Sequence, residues 1–462
     1  MIEIQIAGAG AGKTYDLSKR VIQFHQANTS HKIIYAVTYT NAARKKIKEE
    51  IVKGIGYIPD QVRIETIHSF FLNEIIYPYS HFSVSEVYNN AVSHGMPSDY
   101  VLKNIKINLL KQRNIIHNES VFKKAMIVID RTNGKHTNKA KRAKVDFIVS
   151  HIVAKISHVF IDEAQDMDGD ALRVFQILGD NGIDIYMIGD PKQAIKYPSA
   201  FRNFLKQATG DNYTILPNNN ITKRVPSEIL KLSNALCMAE EKQSNNNGKS
   251  GKVVYIKSSN SNYDAIIGYY KAQQQLIYIE EKEGCYNTHS SRNLYLPLSL
   301  QDKLSILALE RDLDSRLFIN SIISEITERL KNSSSAQVLG WLAKFCGTRL
   351  EKQEYAELIQ HLDMAKMPSK GYKYFISSID AVKGLESDVC IFILNQTMYD
   401  YMTQNVPKTN YHNKNWNKVY VALTRSCNAL IIAIDMELFS RTSVTEIESY
   451  FKGLGISEML SV

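Results

Sequence analysis

Apolar and polar positions alternate along much of the chain in short strands that hand over to helices. Ile2-Glu-Ile-Gln-Ile6 alternates as a strand does, and the spacing Leu17, Val21, Ile22 just after it is helical. Lys32–Thr38 predicts a second strand, leading into a helix from about Asn41 to Ile51, and Val62–Ile64 predicts a third strand. Residues 85–150 carry few strand signals and read as mainly helical. His158–Asp162 and Ile183–Gly189 are apolar strands. The pattern restarts with Tyr213–Leu216, a helix near Pro226–Cys237 and the strand Val253–Ile256, around an Asn/Gly/Ser-rich loop at Ser244–Gly251. Residues 300–365 read as helical. Strands return at Tyr374–Ile379, Val389–Leu394 and Ala429–Ile434, with a helix near Trp416–Thr424. Alternation of this kind predicts parallel sheets with helices on both faces. The expected architecture is α/β, with two cores each interrupted by a mostly helical insertion.

Composition narrows the class. Apolar residues are 44% and charged residues 22%, which is ordinary globular usage and sets aside disordered, collagen-like and coiled-coil chains. The longest apolar runs, such as Val389–Leu394, fall far below the ~18 residues a membrane span needs. The first residues lack the basic-then-apolar pattern of a secretory signal. The five cysteines stand far apart with no CxxC pair, against a zinc site or a disulfide framework. A cytoplasmic protein with no membrane partner is the expectation. The 462 residues suggest about three domains. Lys plus Arg is 56 against 47 for Asp plus Glu, and the resulting +9 permits a polyanionic partner without requiring one.

Two strand ends carry chemistry. Ile6 is followed by Ala7-Gly-Ala-Gly-Ala-Gly-Lys-Thr14, a glycine-rich loop between strand and helix. The backbone N–H groups of Gly8, Ala9, Gly10, Ala11, Gly12 and Lys13 would cradle phosphate oxygens, aided by the positive end of the following helix. Lys13 would reach the β/γ-phosphates and the Thr14 hydroxyl would ligate Mg²⁺. A Gly/Ala turn without ligand is the alternative. His158–Ile161 ends in Asp162-Glu163-Ala164-Gln165-Asp166. Asp162 would hold Mg²⁺ and Glu163 would orient and deprotonate the attacking water. Standing alone, the pair reads more readily as an acidic helix start, and it is the glycine loop earlier in the chain that favours the metal-and-base reading.

With these motifs in view the chain resembles the superfamily 1 helicases of the UvrD/Rep type, over nearly its whole length. Ala7–Thr14 looks like motif I, Thr38-Tyr-Thr-Asn-Ala-Ala43 like motif Ia, and Thr66-Ile-His-Ser-Phe70 like the next single-strand contact motif. Asp162–Asp166 looks like motif II and Gly189-Asp-Pro-Lys-Gln193 like motif III. Arg224-Val-Pro-Ser-Glu-Ile229, Ile379–Glu386 and Val419–Arg425 are similar to motifs IV, V and VI. The resemblance implies two RecA-like P-loop NTPase cores and an ATP-dependent DNA helicase or translocase moving 3′ to 5′, with ATP and Mg²⁺ as cofactors. It divides the chain into a first core (1–84 and 151–212) with a helical insertion (85–150), and a second core (213–260 and 371–462) with a reduced insertion (261–370). It gives Gln193 the sensing of the γ-phosphate and makes Arg224 and Arg425 fingers from the second core. It adds Gly384 and Glu386 to the nucleotide site. Thr38, Tyr39, Thr66, His68, Phe70 and Tyr197 become contacts to single-stranded or tailed DNA.

Departures from the family pattern are specific. No glutamine-bearing helix precedes Ala7, and Lys223 stands where the family usually stacks a tyrosine on adenine, so two base contacts are missing. Ala42 replaces the usual lysine of motif Ia, and Tyr197 is one position out of register for the stacking aromatic of motif III. The basic run Arg131, Lys135, Lys139, Lys141, Arg142, Lys144 holds no acid and reads either as a solvated loop or as a phosphate-contacting arm. Compactness resembles the helicase-like subunits encoded beside nucleases in Gabija-type anti-phage systems, which implies a nuclease partner. A DNA-sensing ATPase that regulates such a nuclease without processive unwinding is thus the rival function. A P-loop kinase gives no reason for the second-core arginines.

Overall fold

The computed structural model describes the chain except residues 29, 94–95, 97–98, 289–295, 312, 314, 331, 348–354, 356–357, 360–361, 363–371, 407–412 and 461–462. It divides into two compact units, Met1–Glu280 with Ile379–Val462, and Glu281–Ser378.

The first unit contains two RecA-like cores. In the first, β1 (Ile2–Ile6), α1 (Lys13–Ala27), β2 (Ile33–Thr38), α2 (Asn41–Ile55) and β3 (Val62–Thr66) are followed, after the insertion, by β4 (Ile156–Ile161), β5 (Asp184–Gly189) and β6 (Tyr213–Ile215). The strands form one wholly parallel sheet in the order β3-β2-β4-β5-β1-β6, so Tyr213–Ile215, assigned to the second core by sequence, belongs to the first, where it pairs with β1. Ile34 through Thr38 are all buried, the continuous run expected of a strand covered on both faces. Because β4, β5 and β1 are neighbours running the same way, the loops leaving their C-terminal ends share one edge of the sheet, where such folds bind ligands.

The second core adds α3 (Ser227–Ala235), β7 (Lys252–Lys257), β8 (Leu276–Ile279), β9 (Ser387–Leu394), α4 (Lys414–Leu423), β10 (Ser426–Ile434) and β11 (Ser457–Glu458). Across its sheet these strands run β8-β9-β10-β7-β11, again all parallel. Residues 261–280 correct an expectation. Placed in the helical insertion by sequence, they form a helix, Tyr263–Ala272, and then β8, which pairs with β9. The turn between them is made by Gln274 in the left-handed region (φ 57), a residue type that does not announce a turn.

The insertion between β3 and β4 is largely helical, with Tyr77–Val84, Tyr100–Gln112, Val121–Ile129 and Lys139–Lys155. It also holds a short parallel pair, Asn90–Val92 with Ile115–His117, that the sequence did not signal. Val121, Phe122, Ala125 and Val128 pack into the same hydrophobic cluster as Ile2 and Tyr35. The second unit has its own core, from Leu300, Leu304, Ile322, Ile326, Leu339 and Leu342 on three helices. The last of these starts with a capping box between Ser334 and Gln337. The strand expected over Tyr374–Ile379 is two short pieces, Tyr374–Phe375 and Ser377–Ser378, and the chain turns helical at Ile379.

Candidate active site

The glycine loop leaves β1 at the shared sheet edge. Ala7 N–H donates to Gly189 O of the neighbouring strand end (3.0 Å). Gly10 (φ 69) and Gly12 (φ 89) adopt left-handed conformations that a β-carbon would strain. Gly12 caps α1 without a side-chain hydrogen bond, so the first-turn N–H groups remain available to an anion. Lys13 is buried, its Nζ 4.0 Å from Glu163 Oε2.

Thr14 Oγ1 donates to Asp162 Oδ2 (2.8 Å) at the end of β4. Asp162 is fully enclosed, and burial, then the charge of Glu163, pushes its carboxyl up to about 7. A desolvated carboxylate beside a hydroxyl gains from a hard divalent cation, so Thr14 and Asp162 fit Mg²⁺. No cluster of three or more His, Cys, Asp or Glu ligands occurs among the described residues, which leaves water and phosphate oxygens to complete the shell.

Glu163 adopts φ 55, a left-handed conformation uncommon outside glycine and costly at a glutamate. Burial raises its pKa, but Lys13, Lys383, Gln165 and Arg425 outweigh that and hold it below the ordinary glutamate value. It is therefore ionised at neutral pH, the state a general base needs. Gln165 Nε2 donates to Glu163 Oε2 (2.5 Å), and Gln165 Oε1 accepts from Asp190 N–H (3.0 Å).

The second core closes the cleft. Arg224, Gly384, Glu386 and Arg425 line the same cavity of about 1030 Å³ as Gly10 to Thr14, Glu163 and Gln193. That is ample for a nucleoside triphosphate. Arg224 Nη1 is 2.8 Å from Glu386 Oε2, and Nη2 donates to Thr424 O (3.0 Å). Arg425 is 1% exposed and donates from Nη2 to Gln193 Oε1 (3.1 Å). Burial, then the like charge of Arg224, lowers its pKa to about 10. Two guanidinium groups thus sit in one cleft with carboxylate balance for only part of their charge, an arrangement that favours a polyanion.

Several residues that matter here were not singled out by sequence. Lys383 forms an ion pair with Asp166, 217 residues away, and faces the cleft. Gln165, Asp190, Gln243 and Tyr420 join in buried hydrogen bonds around the loop. Tyr15, half exposed, lies beneath Lys223, whose Nζ is 5.7 Å from its ring centroid, and both line the cleft. An aromatic directly after Lys13-Thr14 was the one available signal.

The expected DNA contacts divide. Tyr39, His68 and Tyr197 converge. Lys196 lies 5.1 Å from the Tyr39 ring and 5.4 Å from the Tyr197 ring and donates to Tyr39 Oη (2.5 Å), and His68 is 5.8 Å from Tyr39. Burial, then Lys196, lowers the His68 pKa to about 4, so it is neutral at physiological pH. Thr66 is engaged locally, its Oγ1 accepting from Ser69 N–H (3.2 Å). Thr38 is fully buried at the end of β2 and not on a surface.

Phe70 is a plain correction. It is 0% exposed and packs on Tyr35 (4.9 Å) and Phe175 (5.8 Å), so it belongs to the core and stacks no base. Phe70→Ala should therefore lower stability by about 3–5 kcal/mol, read as the shift in urea midpoint. An unchanged midpoint would contradict the packing. The basic run is not a loop throughout: Lys139, Lys141, Arg142 and Lys144 lie exposed on the first turns of Lys139–Lys155, and Arg131 pairs with Asp146 (3.1 Å).

Fold and cleft together define a P-loop protein with paired RecA-like cores. Residues 2–199 match the AAA domain family. The chain is similar to Gabija protein GajB of Bacillus cereus (strain VD045), 25% identical over 98% of this chain and 96% of that protein. It is similar to a probable DNA helicase II homolog of Mycoplasma capricolum subsp. capricolum, 22% identical over 85% of this chain, of whose length it spans 62%. Among solved structures it is similar to arterivirus nonstructural protein 10 (helicase) with DNA, at 12% identity and a TM-score of 0.36, covering 93% of this chain and 60% of that one. Among the described residues, no helix is long and apolar enough to cross a membrane.

Proposed function

We propose that the chain hydrolyses ATP with Mg²⁺ between its two cores and couples this to 3′-to-5′ movement on single-stranded DNA. The observation that carries the reading is the single cleft lined both by the glycine loop and by Arg224 and Arg425. In this scheme the N–H groups from Gly10 to Lys13 and the Lys13 ammonium bind the β/γ-phosphates, and Thr14 and Asp162 hold Mg²⁺; the N–H groups of Gly8 and Ala9, expected in the cradle from sequence, donate instead to Asn219 O (3.1 Å) and Tyr420 Oη (3.3 Å). Held there, Mg²⁺ would supply neutralisation of the phosphate charge. Glu163 takes the proton of the attacking water. Arg224 and Arg425 stabilise charge developing on the γ-phosphate, a contribution worth ~10³–10⁵ in rate. Tyr15 offers the base a stacking face, and Lys223 beside it reads no adenine-specific edge, so GTP should be accepted as well as ATP.

The test is turnover of ATP and of GTP, with and without single-stranded DNA, beside strand separation on 3′-tailed and 5′-tailed duplexes. DNA-stimulated turnover with 3′-tailed unwinding is the expected result. No turnover of either nucleotide would sink the proposal. Stimulated turnover without unwinding would favour a DNA-sensing ATPase that regulates a partner nuclease, a reading that the end-to-end similarity to GajB recommends.

A further inference from the structure

The backbone of the glycine loop is gripped from the second core. Ala9 N–H donates to Tyr420 Oη (3.3 Å), the Tyr420 hydroxyl donates to Gln243 Oε1 (2.6 Å), and Gln243 Nε2 donates back to Ala9 O (3.0 Å). Both polar groups of Ala9 are thus satisfied in a closed ring by two side chains of the other core. Lys223 N–H adds a bond to Gly10 O (2.9 Å). Tyr420 Oη also lies 3.3 Å from Asp190 Oδ2, and Asp190 N–H meets Gln165, which holds the Glu163 carboxylate. Tyr420 is 2% exposed, Gln243 5%, and Asp190 and Gln165 0%, so none of these groups exchanges its partner for water while the cores stay together.

We propose that Gln243 and Tyr420 are positioning residues that set the phosphate loop from the second core, so that the cradle is competent only when the cores are closed. This rests on the nucleotide-hydrolysis reading above. Neither side chain faces the phosphate-binding edge of the loop; each acts through Ala9, and through Asp190 and Gln165 on Glu163.

Gly8 makes the idea testable. A β-carbon there would lie 2.3 Å from Gln243 Cδ and Nε2, and Gly8 has no positive φ to forbid an alanine. The collision falls on the end of a flexible side chain, which yields by leaving its hydrogen bonds. Gly8→Ala and Gln243→Ala therefore break the same ring by different means, and their effects should not add.

The experiment is a double-mutant cycle on the full chain: wild type, Gly8→Ala, Gln243→Ala and both together. Each is measured for steady-state ATP turnover with Mg²⁺, for the Kd of a fluorescent non-hydrolysable ATP analogue, and for its melting temperature. Each single change should lower kcat about tenfold, the worth of one net hydrogen bond, and weaken analogue binding less. The double variant should match either single one within about twofold, with melting temperatures close to wild type. Tyr420→Phe, which keeps the ring and removes the hydroxyl, should fall by a similar factor and gives an independent reading. Losses that multiply in the double variant, or single variants indistinguishable from wild type, would overturn the proposal. Wild type that binds the analogue without turning over ATP would count against hydrolysis itself, and the cycle is then judged on Kd. Wild type that binds no nucleotide would overturn both.

Discussion

Lys13→Ala should reduce ATP turnover by about 10³-fold or more, to the edge of detection, with the chain still folded. Lys13 is 8% exposed, stands at the first turn of α1, and points its ammonium at the cleft between Glu163 and the second-core arginines. No other first-core cation is placed within the glycine loop itself. Its removal also takes away the foremost charge that holds Glu163 ionised against burial, so base and cradle are lost together. Steady-state turnover beside a melting curve is the measurement. A folded variant that retains turnover would refute the phosphate-cradle assignment.

Glu163→Gln separates binding from chemistry. The substitution keeps the shape and the left-handed backbone but cannot accept a proton from water. Turnover should fall about 10³-fold, within the range for loss of a general base, while the Kd for an ATP analogue changes less than threefold. Gln165 would still find an amide oxygen to donate to, so the local hydrogen bond of 2.5 Å can re-form. Equilibrium binding and single-turnover hydrolysis on the same preparation would report the two effects. Loss of binding alongside turnover would instead make Glu163 a structural residue.

What could be read before the fold was known follows from distance along the chain. The loop Ala7–Thr14 and the pair Asp162-Glu163 were legible because strand, chemistry and helix lie within a dozen or so residues of one another. Lys383 with Asp166, and Tyr420 with Ala9, were not, because a contact across hundreds of residues leaves no local pattern. Phe70 misled for a different reason. In the helix Ile67–Phe71 the apolar residues fall at i, i+3 and i+4, the spacing of one buried face. Ile67, Phe70 and Phe71 all turn inward there, whereas a motif-based reading expected an aromatic facing solvent. In the second sheet β7, β9 and β10 were legible, while the two-residue β11 was not, nor was β8, whose four residues follow Gln273-Gln-Gln275 with no glycine or proline to mark the turn.

The position of β10 has a bearing on biosynthesis. It lies between β7 and β9, yet it is translated after both. Throughout the interval from Lys257 to Ser426, the nascent chain carries β7 with its inner edge bare on the ribosome, and β9 joins it still lacking the strand that will separate them. Assembly of this half accordingly waits for β10 to be made, with two aggregation-prone edges depending on a single late arrival.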